Sequence, residues 1–324
     1  MKYHYLLISL MWLPAFGHSA ESIADNNYGP LKTYTQTPFR TNSLSPQLQS
    51  SFPKSKNDVE LYINGTAASV WAVNSDYELD YYQNQIAFGG LWQATPDWKF
   101  GLNYRWNYAG NNHIDGLTIS FHDLVGLSQN GRDDVENDRF VMDLPDYGIE
   151  QRDFRGKTLS QAITAYGQYL LFANQNHAFS IGTSLYYNHF DASLFQSNDV
   201  EFGTQLNYSY RHGAHHADFM LSATHHNHQK QYQNLPFRKN AWSSGASYQY
   251  DFTVRHQLIV QGMIYQGLSY ADDEFSKLAI EWVLGYRYNM QHSALEVSMI
   301  ENMFNADNST DIAFTLGYRY RLGN

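Results

Sequence analysis

Residues 100–108 read FGLNYRWNY. Phe100, Leu102, Tyr104, Trp106 and Tyr108 alternate with Gly101, Asn103, Arg105 and Asn107, the period-two pattern of a strand with one apolar and one polar face. A soluble β-sandwich also alternates, but it turns its apolar side inward and has no reason to gather tyrosines at strand ends. A membrane barrel faces lipid with the apolar side, keeps aromatics for the interfaces, and turns polar, charged and glycine residues to its lumen.

The pattern recurs along the chain. Val200, Phe202, Leu206, Tyr208 and Tyr210 oppose Glu201, Gly203, Gln205 and Asn207. Leu278, Ile280, Trp282, Leu284, Tyr286 and Tyr288 oppose Glu281, Gly285, Arg287 and Asn289. Ile312, Phe314, Leu316, Tyr318, Tyr320 and Leu322 oppose Thr315, Gly317, Arg319 and Arg321. About twelve antiparallel strands are predicted, each long enough to cross a bilayer at a tilt. They begin near Val59, Glu78, Trp98, Leu159, His177, Asp199, His216, Ala241, His256, Lys277, Ser293 and Asp311. Three stretches fit poorly: 78–93, 217–228 and 293–304, where Glu301 would face lipid. Bulges absorb such departures.

The connections give an independent reading. Links at 95–97, 174–176, 212–215, 251–255 and 290–292 are tight, and the alternate links at 190–198, 229–240, 270–276 and 305–310 are longer. Only 74–77 is short where length is expected. In an outer-membrane barrel this puts both termini on the periplasmic side. One large insertion, 110–158, then falls on the extracellular side or folds down into the lumen. Inside it the period changes: Ile114, Leu117, Phe121, Leu124 and Val125 share one helical face, followed by an acidic, turn-rich run over 129–138. The predicted fold is therefore all-β, a transmembrane antiparallel barrel with one helical, acidic insertion.

Composition agrees. The chain of 324 residues carries 26 Tyr, 19 Phe and 7 Trp, yet its mean hydropathy is only -0.51. That much Tyr suits interfaces with an apolar body and a wet tip. A formal charge of -10 argues against nucleic acid, whose binding requires a basic stripe. No cysteine is present, so disulfides and thiol chemistry are excluded. Residues 1–20 read as a cleaved signal peptide, with Lys2, an apolar run over 6–16 and Ser19-Ala20 as the small residues. Residues 21–57 form a polar arm rich in Ser, Pro, Asn and Gln without sustained periodicity. It is read as disordered, as a periplasmic arm, or as a segment tucked into the lumen. The barrel then occupies 58–324.

Two resemblances add to this. Thr315-x-Gly317-x-x-Tyr320-x-Leu322 resembles the C-terminal pattern read by the barrel-assembly machinery of Gram-negative bacteria, with Gly323-Asn324 trailing in place of a terminal aromatic. Within the insertion, Asp115-Gly116, Phe121-His122 and Gly126-Leu127, followed by Gly131-Arg132, resemble the signature of a proteobacterial outer-membrane family catalogued as domain of unknown function 3187. Gly29-Pro30-Leu31, Gln36 and Pro38 resemble its start, and 311–321 its end. The resemblance implies an outer-membrane barrel in contact with lipid and no particular activity.

For chemistry, Asn130-Gly131-Arg132 is similar to part of the outer-membrane phospholipase signature. However, Gln129 and Leu127 stand where its nucleophilic serine and its histidine belong. His122, Asp123 and Ser128 lie nearby, but a triad is a matter of geometry, and no catalytic residue is assigned. His225, His226 and His228 end one strand, while His212, His215 and His216 begin it, roughly 40 Å away at about 3.3 Å per residue. They are read as interfacial and loop histidines, and no metal or other cofactor is expected. The inward faces carry Arg105, Arg211, Arg287, Arg319 and Arg321 together with Glu201, Glu281 and Glu296. These either pair and fill a narrow lumen or line a selective pore. The functional expectation is a channel or small-solute transport barrel in which Asp133, Asp134, Glu136 and Asp138 of the insertion plug the lumen by pairing with those arginines. The alternatives are a closed structural or surface-binding barrel and, further off, a lipid hydrolase.

Overall fold

The computed structural model describes residues 27–114, 116, 135–136, 138–190, 198–227, 235–271, 273–304, 310 and 312–322. Among them are fourteen strands in one sheet. In chain order these are β1 (Val59–Val73), β2 (Glu78–Gln93), β3 (Trp98–Tyr108), β4 (Val141–Leu144), β5 (Ile149–Arg152), β6 (Thr158–Ala173) and β7 (His177–Phe190). Then follow β8 (Asp199–His212), β9 (His215–His225), β10 (Asn240–Asp251), β11 (His256–Tyr265), β12 (Ala279–Asn289), β13 (Ser293–Phe304) and β14 (Ile312–Leu322). Twelve of them, all but β4 and β5, pair antiparallel in sequence order, and β1 pairs with both β2 and β14, so the sheet closes. The seam runs from Val59 opposite Leu322 to Ser69 opposite Ile312.

Each of the twelve turns large apolar side chains outward. Leu102, Leu171, Phe202, Leu221, Leu284 and Leu316 are each more than half exposed, which in water would be a liability and in lipid is the stabilising contact. The inward positions of the same strands are polar and buried, such as Arg105, Asn107, Glu201, Asn207, Glu281 and Arg319. This inside-out distribution is what the alternation at 100–108 predicts.

The two rims differ. At the turn rim the strands are joined by tight links, and a motif repeats on three consecutive hairpins. His177, His215 and His256 stand across the ladder from Tyr210, Tyr250 and Tyr288. Each histidine Nδ1 lies within hydrogen-bonding distance of the next tyrosine inward, Tyr208 at 2.8 Å, Tyr248 at 2.6 Å and Tyr286 at 2.5 Å. The result is an aromatic girdle with its polar tips satisfied.

At the loop rim β1 and β2 rise above the seam, closed by a tight turn in which Asn74 N–H donates to the Tyr77 carbonyl at 3.0 Å. Both faces are covered there: Tyr81 and Tyr82 are each 3% exposed, which is why 78–93 does not alternate cleanly. Glu301, expected to face lipid, is 8% exposed and sits beside a register shift between Ile280 and Trp282.

The insertion departs from expectation. Of the helix anticipated through Ile114 to Val125 only Ile114 and Gly116 are among the described residues, and most of the acidic run lies outside them, so the helical, acidic description gains no support. What is described of the insertion after residue 138 is a β-hairpin, β4 and β5, joined by a 3-10 turn at Pro145–Tyr147 and docked on β2 through Glu78 opposite Asp143. Arg139 pins it with ion pairs to Glu78 at 2.5 Å and Asp80 at 3.2 Å. Phe140, Met142, Leu144 and Phe154 pack with Tyr77, Leu79, Tyr81 and Phe275 into the largest apolar cluster, a roof over the loop rim.

Candidate functional site

The lumen is filled by the polar segment 27–57. From Tyr28 through Phe52 every residue is buried or half-buried. The segment enters at the turn rim, rises to an apex at Phe39 and the 3-10 turn Arg40–Asn42, and descends to join β1 at the rim where it entered. Of the readings open for the arm, the lumenal one holds for these residues. Outside its 3-10 turn the segment is neither helix nor strand, so it has no periodicity, and side chains of the wall bond many of its backbone groups.

Three sets of contacts fix the ascending limb. Arg319 Nη1 donates to the Tyr28 carbonyl at 2.7 Å and Arg287 Nη2 to the Gly29 carbonyl at 2.7 Å. The Leu31 N–H donates to Gln261 at 2.6 Å, and the Tyr34 and Tyr62 hydroxyls meet at 2.9 Å. One oxygen of Glu281 accepts from Thr35 Oγ1 at 2.8 Å, Gln36 N–H at 2.9 Å and Thr37 Oγ1 at 3.1 Å.

At the apex Phe39 has φ +62° and packs edge-on to Phe275 at 5.4 Å, under the roof. The Asn42 carbonyl accepts from Tyr186 at 2.9 Å and Asn188 at 2.5 Å, while its side chain accepts from Ser160 at 2.7 Å. On the way down the Leu44 N–H donates to Glu201 at 2.6 Å, Gln205 donates to the Gln47 carbonyl at 3.1 Å, and Ser51 Oγ meets Ser180 Oγ at 2.8 Å.

Glycines of the wall make room. A Cβ on Gly285 would run into Leu31, one on Gly203 would lie 3.0 Å from Leu44, and one on Gly245 3.3 Å from Leu48. Three leucines of the segment thus seat over three lumenal glycines, a packing that the inward-facing glycines in the strand pattern signal once the occupant is known.

The inward arginines sort by depth. Arg105 donates to the Ser43 carbonyl at 3.1 Å and lies over the Tyr34 ring. Arg287 pairs with Glu296 at 2.6 Å, and Arg319 with Glu60 at 3.1 Å and Glu296 at 3.0 Å. Arg321 at the turn rim donates to the Asn27 carbonyl at 3.2 Å, with Asp58 3.6 Å away. Arg211, also at that rim, stacks 4.0 Å from the Phe52 ring centroid. Their partners are thus the N-terminal segment and wall carboxylates. Of the insertion's acids, Asp133 and Asp134 lie outside the described residues. Glu136 is exposed, and Asp138 lies 3.2 Å from the Tyr82 hydroxyl and 3.7 Å from His113, at the roof.

The histidines separate. His226 is buried between Glu201 at 2.8 Å and Thr224 at 2.8 Å, His225 bonds Asn240 at 2.8 Å on the outer face, and His228 lies outside the described residues. At the turn rim His216 meets Asp251 at 3.0 Å and Asn27 at 2.9 Å. Asp115, Phe121, His122, Gly126 and Arg132 of the family signature, and the residues considered for hydrolysis, also lie outside the described set; Gly116 is described and exposed. Sequence reasoning did not single out Lys32, Asn42, Glu60, Lys99 or Tyr186, though the last three sit at inward positions of the strand pattern.

The family described as "Protein of unknown function (DUF3187)" matches residues 7–322. No curated protein matches the chain. Among solved structures, the COG4313 outer membrane channel from Pseudomonas putida F1 superposes with a TM-score of 0.54 at 11% identity, covering 86% of this chain and 100% of its own. The KdgM porin, solved in complex with disordered oligogalacturonate, superposes at 0.41 with 9% identity over 81% and 98%. The CymD monoaromatic hydrocarbon channel superposes at 0.41 with 9% identity over 83% and 90%. The first of these supports a common barrel fold.

Proposed function

The chain belongs to the DUF3187 family, and from that premise we propose that it is an outer-membrane transport barrel for small polar solutes whose pore is gated by its own residues 27–57. The observation that carries this reading is the occupant of the lumen. A filled core made of apolar side chains alone would be permanent, but this one is held largely by polar contacts around the three leucine seats, so water or solute can replace each hydrogen bond that the segment gives up. Both limbs end at the turn rim, so the segment can withdraw without unthreading. The insertion acts here as a roof that seats the apex, through Phe39 and Phe275, and not as the plug itself. In this reading the turn rim faces the periplasm, residues 1–20 direct export, and the C-terminal strand is presented to the assembly machinery.

A closed structural barrel is the competing reading, favoured by the number of bonds that hold the segment. Conductance in planar bilayers separates the two, measured on the intact protein and on a variant with residues 27–54 removed. Steps that are rare in the intact barrel and continuous in the deletion support gating. Silence in both, with a folded barrel verified by heat-modifiable migration, removes the transport reading.

A further inference from the structure

Two lysine side-chain nitrogens lie buried where the segment meets the wall near the turn rim. Lys32, on the ascending limb, is 4% exposed, and Lys99, on β3, is 8% exposed. Lys32 Nζ donates to Gln49 Oε1 at 2.9 Å, and Lys99 Nζ donates to the neighbouring Ser50 carbonyl at 2.6 Å. Both acceptors are neutral, and among the described residues neither lysine has a carboxylate within 4.0 Å. The same space is lined by two carboxylates, Glu60 paired with Arg319 at 3.1 Å and Asp58 beside Arg321 at 3.6 Å, and by a third lysine, Lys54, whose Nζ donates to the Asn27 carbonyl. An ammonium carries three donors, and burying it without a counter-charge is costly. Lys32 and Lys99 line one cavity of about 30 Å³, room for a body the size of a water molecule or a halide.

We propose that this cavity is a binding site for a small monovalent anion, of halide size, held between Lys32 and Lys99. One ion there neutralises the surplus positive charge and ties both limbs of the segment, through Lys32 and through Gln49-Ser50, to β3. The site stands apart from the gating reading, since it requires an occupied lumen and no conduction.

The test uses the full-length protein refolded in detergent, with bromide as the probe. Crystals grown in sodium bromide are expected to show anomalous density within hydrogen-bonding reach of both ammonium groups. In solution, amide exchange over residues 46–52 is compared in bromide and in gluconate at equal ionic strength. At ten times its dissociation constant, bromide should slow that exchange about tenfold. The bromide effect should vanish in Lys32→Met and in Lys99→Met. Ordered lysines with no anomalous peak between them would overturn the proposal. So would a peak without any effect on exchange, which means an adventitious ion only. Should either variant fail to fold, the wild-type comparison still decides. Conductance is not read, so a silent barrel that binds bromide would sink gating and leave the site intact.

Discussion

The guanidinium of Arg319 holds the backbone carbonyl of Tyr28 at 2.7 Å while pairing with Glu60 and Glu296 at 3.1 and 3.0 Å. One side chain of the last strand thus joins the start of the lumenal segment to the first and penultimate strands of the wall. Replacing it with alanine leaves Glu60 buried without its cation and Glu296 with Arg287 alone, at a cost of about 3–5 kcal/mol. Arg319→Ala is expected to lower the temperature at which the folded band converts to the unfolded band in heat-modifiable migration. Adding Glu60→Gln, which removes the carboxylate left unpaired, should recover part of the loss. A single variant as heat-resistant as the parent would show that the pairing is not what holds this end.

Glu281 gathers the ascending limb at one oxygen, accepting from Thr35, Gln36 and Thr37. Bonds to a charged acceptor contribute about 1.5–3 kcal/mol each. Glu281→Ala should therefore raise amide exchange at residues 35–37 by at least about tenfold, with a smaller rise in Glu281→Gln, which keeps an acceptor. In bilayers the alanine variant should dwell longer in the open state. Unchanged exchange in the alanine variant would show that the apex, not this carboxylate, carries the limb.

Gly285 leaves the space that Leu31 fills. Gly285→Ala is expected to push Leu31 off the wall and loosen the ascending limb while leaving the β12 ladder intact. Leu31→Ala in the same chain should restore tightness in part, because the methyl then occupies the space the leucine left. Protease sensitivity of residues 27–38, compared across the two single variants and the double, gives the coupling directly. Additive effects would mean that the two residues do not share that space.

The chain contains no cysteine, so an introduced pair has no competitors. Ser51 Oγ and Ser180 Oγ are 2.8 Å apart, with the first on the descending limb and the second on β7. Ser51→Cys with Ser180→Cys should form a disulfide on oxidation, the bond itself requiring about 2.05 Å between sulfurs. Oxidised barrels should be silent in bilayers and reduced ones should gate like the parent. Conductance that ignores the redox state would place the permeation path elsewhere.

The three histidine–tyrosine pairs at the turn rim make a weaker prediction. Each is exposed to the interface, so His177→Phe, His215→Phe or His256→Phe should cost no more than about 1 kcal/mol apiece, with the heat-modifiable transition shifting by a few degrees only in the triple variant. A large shift from any single one would mean that the pair does more than satisfy the ends of the girdle.

Why the barrel was legible and its occupant was not follows from the same physics. Phe100, Leu102 and Tyr104 face lipid while Gly101, Asn103 and Arg105 face the lumen, so each wall strand carries its environment in its own alternation. The segment 27–57 has no such contrast. It is surrounded by polar groups on every side, and a chain that bonds Glu281, Asn188 and Ser180 in a polar interior needs the same Ser, Thr, Gln and Asn that mark a solvated arm. Upper β2 hides for the opposite reason: Tyr81 and Tyr82 are both buried, one on each face, so alternation disappears there. The β4–β5 hairpin contributes only four residues per strand, too few for a period to stand out among Asp143, Glu150 and Arg152.

The segment that ends up encircled is also the part of the chain that precedes every strand of the wall. The sheet closes where β1 meets β14, so the first strand waits for the last while residues 27–57 already lie on its inner side. Its contacts with Asn64 on one edge strand and Arg319 on the other are made through Lys32, Tyr28 and Pro30, within reach of the seam. The segment is therefore placed to act as a mandrel on which the sheet is curled to its final circumference. Shortening it then becomes a change to the tooling of assembly, visible in the yield and diameter of barrels before any of them is asked to conduct.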